Sequence, residues 1–170
     1  MKNKMKVFML VTGFAILLCG CTKSNIVKPD ETGEAPDFNL YNDIVLDMDQ
    51  LHEDVNDIIL DPSDYPMGSA VDFDVDLDNE KVDVTVVVKD DTTAEDAAMY
   101  ADAAIKCIND QVAVQDFSYG ESGDDTFGGL YQDNVINLKI YEESTYKNGG
   151  EPMYEVQVPL DEYMAFDIEK

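Results

Sequence analysis

The chain of 170 residues carries 37 Asp and Glu against 11 basic residues, all of them lysine, for a formal net charge of -26. Nucleic acid is excluded as a partner on this balance, because binding a phosphate backbone depends on Lys/Arg neutralisation, and anionic lipid headgroups are disfavoured for the same reason. A hydrophobic content of 45% is enough for a core, so the chain is not a disordered acidic polymer.

Lys2, Lys4 and Lys6 open the chain, and Val7 to Leu18 run apolar apart from Thr12 and Gly13. The run falls short of the roughly 20 residues a spanning helix needs and fits the apolar region of an export signal. Leu18-Cys19-Gly20-Cys21 follows. This order of charge, apolar run and Leu-x-Gly-Cys resembles the lipobox and type II signal peptide of bacterial lipoproteins, over residues 1–21. Cys19 is a less usual occupant of its position. The resemblance implies that residues 1–20 are removed, that the Cys21 thiol carries a diacylglyceryl group, and that the protein is held at the cell membrane on its extracytoplasmic face. One acyl chain anchors marginally, at about 0.8 kcal/mol per buried methylene, whereas two or more on one cysteine hold durably, so attachment needs no basic patch. Removal of residues 1–20 takes away three lysines and no acid, leaving eight lysines against 37 acids and a net charge of -29. With Cys19 removed and Cys21 acylated, Cys107 stands alone and no intrachain disulfide forms.

Residues 22–36, TKSNIVKPDETGEAP, are polar and contain two prolines. They read, with Cys21, as a tether that reaches roughly 50 Å at about 3.3 Å per residue. A single acidic domain is expected over residues 37–170.

Tyr41, Ile44, Val45, Met48, Leu51, Val55, Ile58 and Ile59 recur at steps of mainly three and four, which predicts an amphipathic helix closed by Pro62. The period then becomes two. Val71, Phe73, Val75 and Leu77 alternate with Asp72, Asp74, Asp76 and Asp78, Asp78-Asn79-Glu80-Lys81 makes a turn, and Val82, Val84, Val86 and Val88 alternate again. This is a β-hairpin with one acidic face. Thr92-Thr93-Ala94-Glu95 fits a capping box for a helix to Gln111, with Ala97, Ala101, Ala104, Ile105 and Ile108 as its packed face. Strand character is expected around Asp116 to Tyr119, and Gly120 to Gly129 reads as a flexible loop. Ile136, Leu138 and Ile140 form a strand, Lys147-Asn148-Gly149-Gly150 turns the chain, and Tyr154, Val156 and Val158 return beside it, with Pro159 marking an edge or an end. With no further helical crossover expected, these elements predict an α+β fold, a mainly antiparallel sheet with two helices packed on one face. Its core is expected to use Leu51, Val55, Ile58, Phe73, Val75, Val84, Val86, Ile105, Ile136, Leu138 and Val156.

Carboxylates are hard ligands suited to Ca²⁺, and acids two apart on a strand share a face, so Asp72, Asp74, Asp76 and Asp78 are the candidate metal ligands, with Asp124 and Asp125 of the glycine-rich loop beside them. Asp74-x-Asp76-x-Asp78 resembles the start of an EF-hand loop, but Asn79 replaces its glycine and Thr85 its bidentate glutamate. The ladder therefore reads as a solvated strand face, with calcium as the alternative, and Asp124 and Asp125 as part of a surface connection or, with Phe127, a binding tip. Two acids there also argue against phosphate. His52, the single histidine, has no nucleophile motif or second metal-type partner. Cys107 sits among acids, the opposite of what activates a thiol. The tyrosines Tyr119, Tyr131, Tyr141, Tyr146, Tyr154 and Tyr163 read as sheet residues rather than as a ligand surface. The sequence thus predicts no cofactor and a non-enzymatic binding or accessory module. Its partners would be the membrane, through Cys21, and an envelope protein or cation. A hydrolase using paired carboxylates is the minor alternative.

Overall fold

The computed structural model describes residues 45–168. The signal segment, Cys21, the tether and residues 37–44 of the expected domain lie outside the described residues.

Helix α1 runs Met48–Ile59, strand β1 Gly68–Asp76, strand β2 Lys81–Val88, helix α2 Ala94–Gln115, strand β3 Val135–Glu142, the short helix α3 Glu143–Lys147, and strand β4 Tyr154–Val158. The class is α+β, as the change of periodicity predicts. The four strands lie in the order β1-β2-β3-β4. The outer pairs are antiparallel, with Phe73 opposite Val84 and Leu138 opposite Val156, but β2 and β3 run parallel, with Val84 opposite Leu138. The sheet is therefore mixed. α2, expected between these two strands, is the crossover that their parallel pairing requires, where a mainly antiparallel sheet is expected from the sequence.

Val82, Val84, Val86 and Val88 of β2 share one face with Ile136, Leu138 and Ile140 of β3, and all are buried. They form one hydrophobic cluster with Val71 and Phe73 of β1, with Leu51, Val55 and Ile59 of α1, and with Ala97, Tyr100, Ala101, Ala104, Ile105, Ile108 and Val112 of α2. Ile58, expected inside, is 43% exposed and Ile59 is buried in its place. Val75 and Val156 are partly buried against the cluster. Val87, on the other face, is also buried; it lies opposite Tyr141, whose ring meets Tyr146 of α3 edge-on at 5.3 Å.

Thr93, not Thr92, caps α2. Its hydroxyl accepts from the Asp96 amide at 3.1 Å and donates to the Asp96 carboxylate at 2.7 Å, the cap sitting one residue later than expected because adjacent threonines offer the same hydroxyl. The expected strand at Asp116 to Tyr119 is absent. The helix continues through Val112 and Ala113, both buried, and ends in a turn in which the Asp116 carboxylate accepts from the Ser118 amide.

The glycine-rich segment is fastened to α2 rather than hanging free. Asn109, wholly buried, donates from Nδ2 to the Gly120 carbonyl at 3.0 Å and accepts at Oδ1 from the Leu130 amide at 2.9 Å. Asp110 accepts from the amide and hydroxyl of Ser122. Phe127 is buried against Tyr131, Tyr163 and Phe166, which removes it as a binding-loop tip.

Candidate binding groove beside the acidic strand

The acidic ladder breaks in two at the end of β1. Asp72 and Asp74 are exposed on the polar face of the strand, opposite Thr85 and Asp83. Asp76 caps the 3₁₀ turn Leu77–Asn79, accepting from the Asn79 amide at 3.1 Å and from its side-chain amide at 2.7 Å. Asp78 therefore belongs to the turn and not to the strand, and Glu80 closes the reversal with a left-handed backbone at φ 53°. An alternating sequence that stops alternating at Leu77 places an apolar side chain on a tight turn, where it is 41% exposed.

The polar face is hydrogen-bonded across the sheet. Lys81 pairs with Asp83 at 2.6 Å, Asp83 accepts from Asn137 at 2.7 Å, and Asn137 accepts from Gln157 at 2.9 Å. The Lys81 ammonium, and then the Asn137 amide, hold the Asp83 carboxyl below the usual carboxylate range against a smaller opposing effect of burial. The same bond from Asp83 raises Lys81. The cation nearest the ladder is thus already engaged. The Asp74 and Asp78 carboxylates make no hydrogen bond or ion pair among the described residues.

The start of α1 lies beside this turn. Asp47 caps the helix, its side chain accepting from the Gln50 amide. The Asp47 backbone is clamped to the end of α2 by Gln115, which accepts from the Asp47 amide at 2.7 Å and donates to the Asp47 carbonyl at 3.1 Å. Between the two elements lies an open groove of about 490 Å³, lined by Val45, Leu46 and Met48 on one side and by Asp74, Val75, Asp76, Leu77 and Asp78 on the other. Leu46, Met48 and Val75 are packed from below onto the core, while Val45 is 88% exposed. The groove has an apolar floor and a carboxylate rim. Phe117, also 88% exposed, and Val114 project from the end of α2 that Gln115 ties to Asp47. A second, smaller cleft of about 270 Å³ lies between α2 and the tail, lined by Ala98, Met99, Asp102, Tyr163, Ala165 and Phe166.

The remaining candidates are scattered. Asp124 and Asp125 are exposed on a tight turn whose ends, Gly123 and Thr126, pair with one another. Among the described residues no group of three or more His, Cys, Asp or Glu side chains could hold a metal ion. His52 is half-buried, its ring stacked on Phe73 at 4.1 Å. Burial, and then the Asp110 charge, push the Cys107 thiol up to about 11, so it stays protonated at neutral pH. Tyr131 is buried, its hydroxyl donating to the Ile105 carbonyl, and Tyr163 covers Lys106 at 4.9 Å. The tyrosines do not gather into one ligand surface. Sequence reasoning marked the carboxylates of the groove but missed its apolar floor, whose only signal was Leu77 falling beyond the last paired strand position. No protein-family model, curated protein or solved structure matches the chain.

Proposed function

We propose that this protein is a bacterial lipoprotein, held on the extracytoplasmic face of the cell membrane through Cys21, whose domain works by binding rather than by catalysis. The observation that carries the anchor is the ordered succession of Lys2, Lys4 and Lys6, the apolar run to Leu18, and Leu18-Cys19-Gly20-Cys21. Two or more acyl chains on one cysteine supply the attachment, so the acidic domain has no need of contact with headgroups. The binding reading is supported by the groove between Val45–Met48 and Asp74–Asp78, a concave surface with an apolar and acidic lining. His52, stacked on Phe73, and Cys107, its thiol pushed up to about 11, both lie outside the groove lining.

The test is mass spectrometry of the membrane-extracted protein, which is expected to show a lipid-modified N-terminal peptide beginning at Cys21. Cys21→Ala is expected to release the protein from the membrane or leave it unprocessed. A Cys21→Ala protein that stayed membrane-bound and was cut at the same site would sink the reading.

A further inference from the structure

We infer that the groove beside β1 takes a cationic amphipathic polypeptide segment, its apolar side chains seated on Val45, Leu46, Met48, Val75 and Leu77 and its lysine or arginine side chains set against Asp74 and Asp78. This deepens the binding reading above and rests on it. Three observations fix the class of occupant. The lining is largely apolar, and Val45 and Leu77 leave part of it in water, surface that an occupant would bury. The groove margin is acidic, and Lys81, across the strand pair from Asp76, is bound to Asp83 and feels the Asp76 and Asp74 charges from there. Asp76 is occupied by the turn, but the Asp74 and Asp78 carboxylates flank it and make no hydrogen bond or ion pair among the described residues. A second copy of this chain fits poorly, because it would bring the same carboxylates against themselves on a molecule of net charge -26. Anionic lipid and nucleic acid meet the same repulsion. A segment with apolar and basic residues on neighbouring faces satisfies both surfaces, and the potential of the acidic domain steers its encounter.

The experiment uses the full lipidated chain in phosphatidylcholine nanodiscs, with empty discs as blank. The probes are three labelled peptides of equal length, one built of Leu and Lys, one of Leu and Glu, and one of Lys and Ser. The Leu/Lys peptide is expected to bind above the blank, more weakly at high salt, and the other two to bind far less. Val45→Ser with Leu77→Ser is expected to weaken it about tenfold or more by loss of apolar burial. Asp74→Asn with Asp78→Asn is expected to weaken it roughly three- to tenfold, as for exposed charge contacts. All four positions lie on the surface or its margin, and an unchanged melting temperature on the first pair reports that the fold is intact. Met99→Ser, in the separate cleft, is expected to change nothing. The inference is overturned by a Leu/Lys peptide that stays at the blank, by Lys/Ser binding as well, by groove variants that bind like the parent, or by an equal loss in Met99→Ser. Concentration-dependent self-association blocked by Val45→Ser and Leu77→Ser would overturn it in favour of a second copy. The mass of the Cys21 peptide, taken on the same preparation, reports the anchor separately, so a failed peptide on a lipidated protein sinks the groove alone.

Discussion

Asn109 and Gly128 fill one another's space. Gly128 sits at φ +108°, and a Cβ built on it would collide with the Asn109 side-chain amide. That amide bonds the Gly120 carbonyl and the Leu130 amide, two backbone groups at opposite ends of a loop that has little regular structure of its own. One buried side chain thus ties together the two ends of the connection between α2 and β3, and the glycine lets that side chain through.

Asn109→Ala is expected to cost about 1–3 kcal/mol, because it leaves the buried Leu130 N–H without a partner, while the Gly120 carbonyl keeps the Gly129 amide. Gly128→Ala is expected to cost about 2–5 kcal/mol through its left-handed φ and the overlap with Asn109. Denaturant titration of both single variants and of the double variant is the measurement. The double is expected to fall well short of additive, since Asn109→Ala opens the space that the alanine at 128 needs. Strict additivity would mean that the two side chains act separately.

The neighbouring isoleucines of α1 give a sharper test of facing. Ile59→Ala is expected to cost about 2–5 kcal/mol, as a fully buried side chain does, and Ile58→Ala, being 43% exposed, less than about 1 kcal/mol. Val84→Asp, which buries a carboxylate between β1 and β3, is expected to abolish folding. Thermal melts of the three variants decide it; an Ile58→Ala loss as large as that of Ile59→Ala would mean the helix is rotated.

What was legible in the sequence, and what was not, follows from how local each signal is. The alternation of Val82 to Val88 and of Ile136 to Ile140 names a buried face for each strand, yet a strand buried on one face reads the same whether its neighbour is parallel or antiparallel. The parallel pairing of Val84 with Leu138 is decided by α2 packing between them in the chain, a length-scale beyond periodicity. Ile58 and Ile59 are adjacent, and a stripe with steps of three and four admits either. Helix α2 runs four residues past the expected Gln111, because the apolar residues that follow carry no break of their own. Only the stripe carried forward from Ala101, Ile105 and Ile108 puts Val112 inside the core. The carboxylates of the groove stood out as a run, but their apolar partners, Val45 to Met48, come from about thirty positions earlier. No motif spans that distance.

Alkaline pH is expected to unfold the protein early. Burial is the first cause in each of three groups: the Cys107 thiol is pushed up to about 11 from an ordinary value near 9, and the Tyr100 and Tyr131 phenols rise above their ordinary value near 10. In the unfolded chain these protons leave first, so the unfolded state binds fewer protons and stability falls as pH rises. The contribution is complete below about pH 9, and its loss begins there and continues through pH 11. Melting temperature against pH is the measurement. Cys107→Ala is expected to remove the part of the decline nearest pH 9 and leave the tyrosine part, and a parent protein with a flat profile from pH 8 to pH 11 would contradict these burials.

The acidic ladder is expected to behave as two kinds of residue. Asp74 lies opposite Asp83 in the strand pair, a like-charge opposition that Lys81, bonded to Asp83 and attracted by Asp74, largely offsets, so Asp74→Asn is expected to raise stability by no more than about 0.5 kcal/mol. Asp76 instead satisfies the Asn79 amide, so Asp76→Ala is expected to lower it by about 0.5–2 kcal/mol, the usual cost of a lost cap. Strand geometry also spaces Asp72, Asp74 and Asp76 about 6.6–6.8 Å apart along one face, inside the roughly 8 Å screening length of physiological salt, and among the described residues no three such groups are placed to hold an ion. Added salt is therefore expected to raise the melting temperature by screening, with calcium, magnesium and sodium equal at matched ionic strength. The Asp74→Asn variant is expected to respond less than the parent, since one member of the repulsive pair is gone. A saturable calcium isotherm in the parent, lost in Asp74→Asn, would make the ladder a cation site instead. An Asp76→Ala variant more stable than the parent would show that repulsion along the strand outweighs the cap.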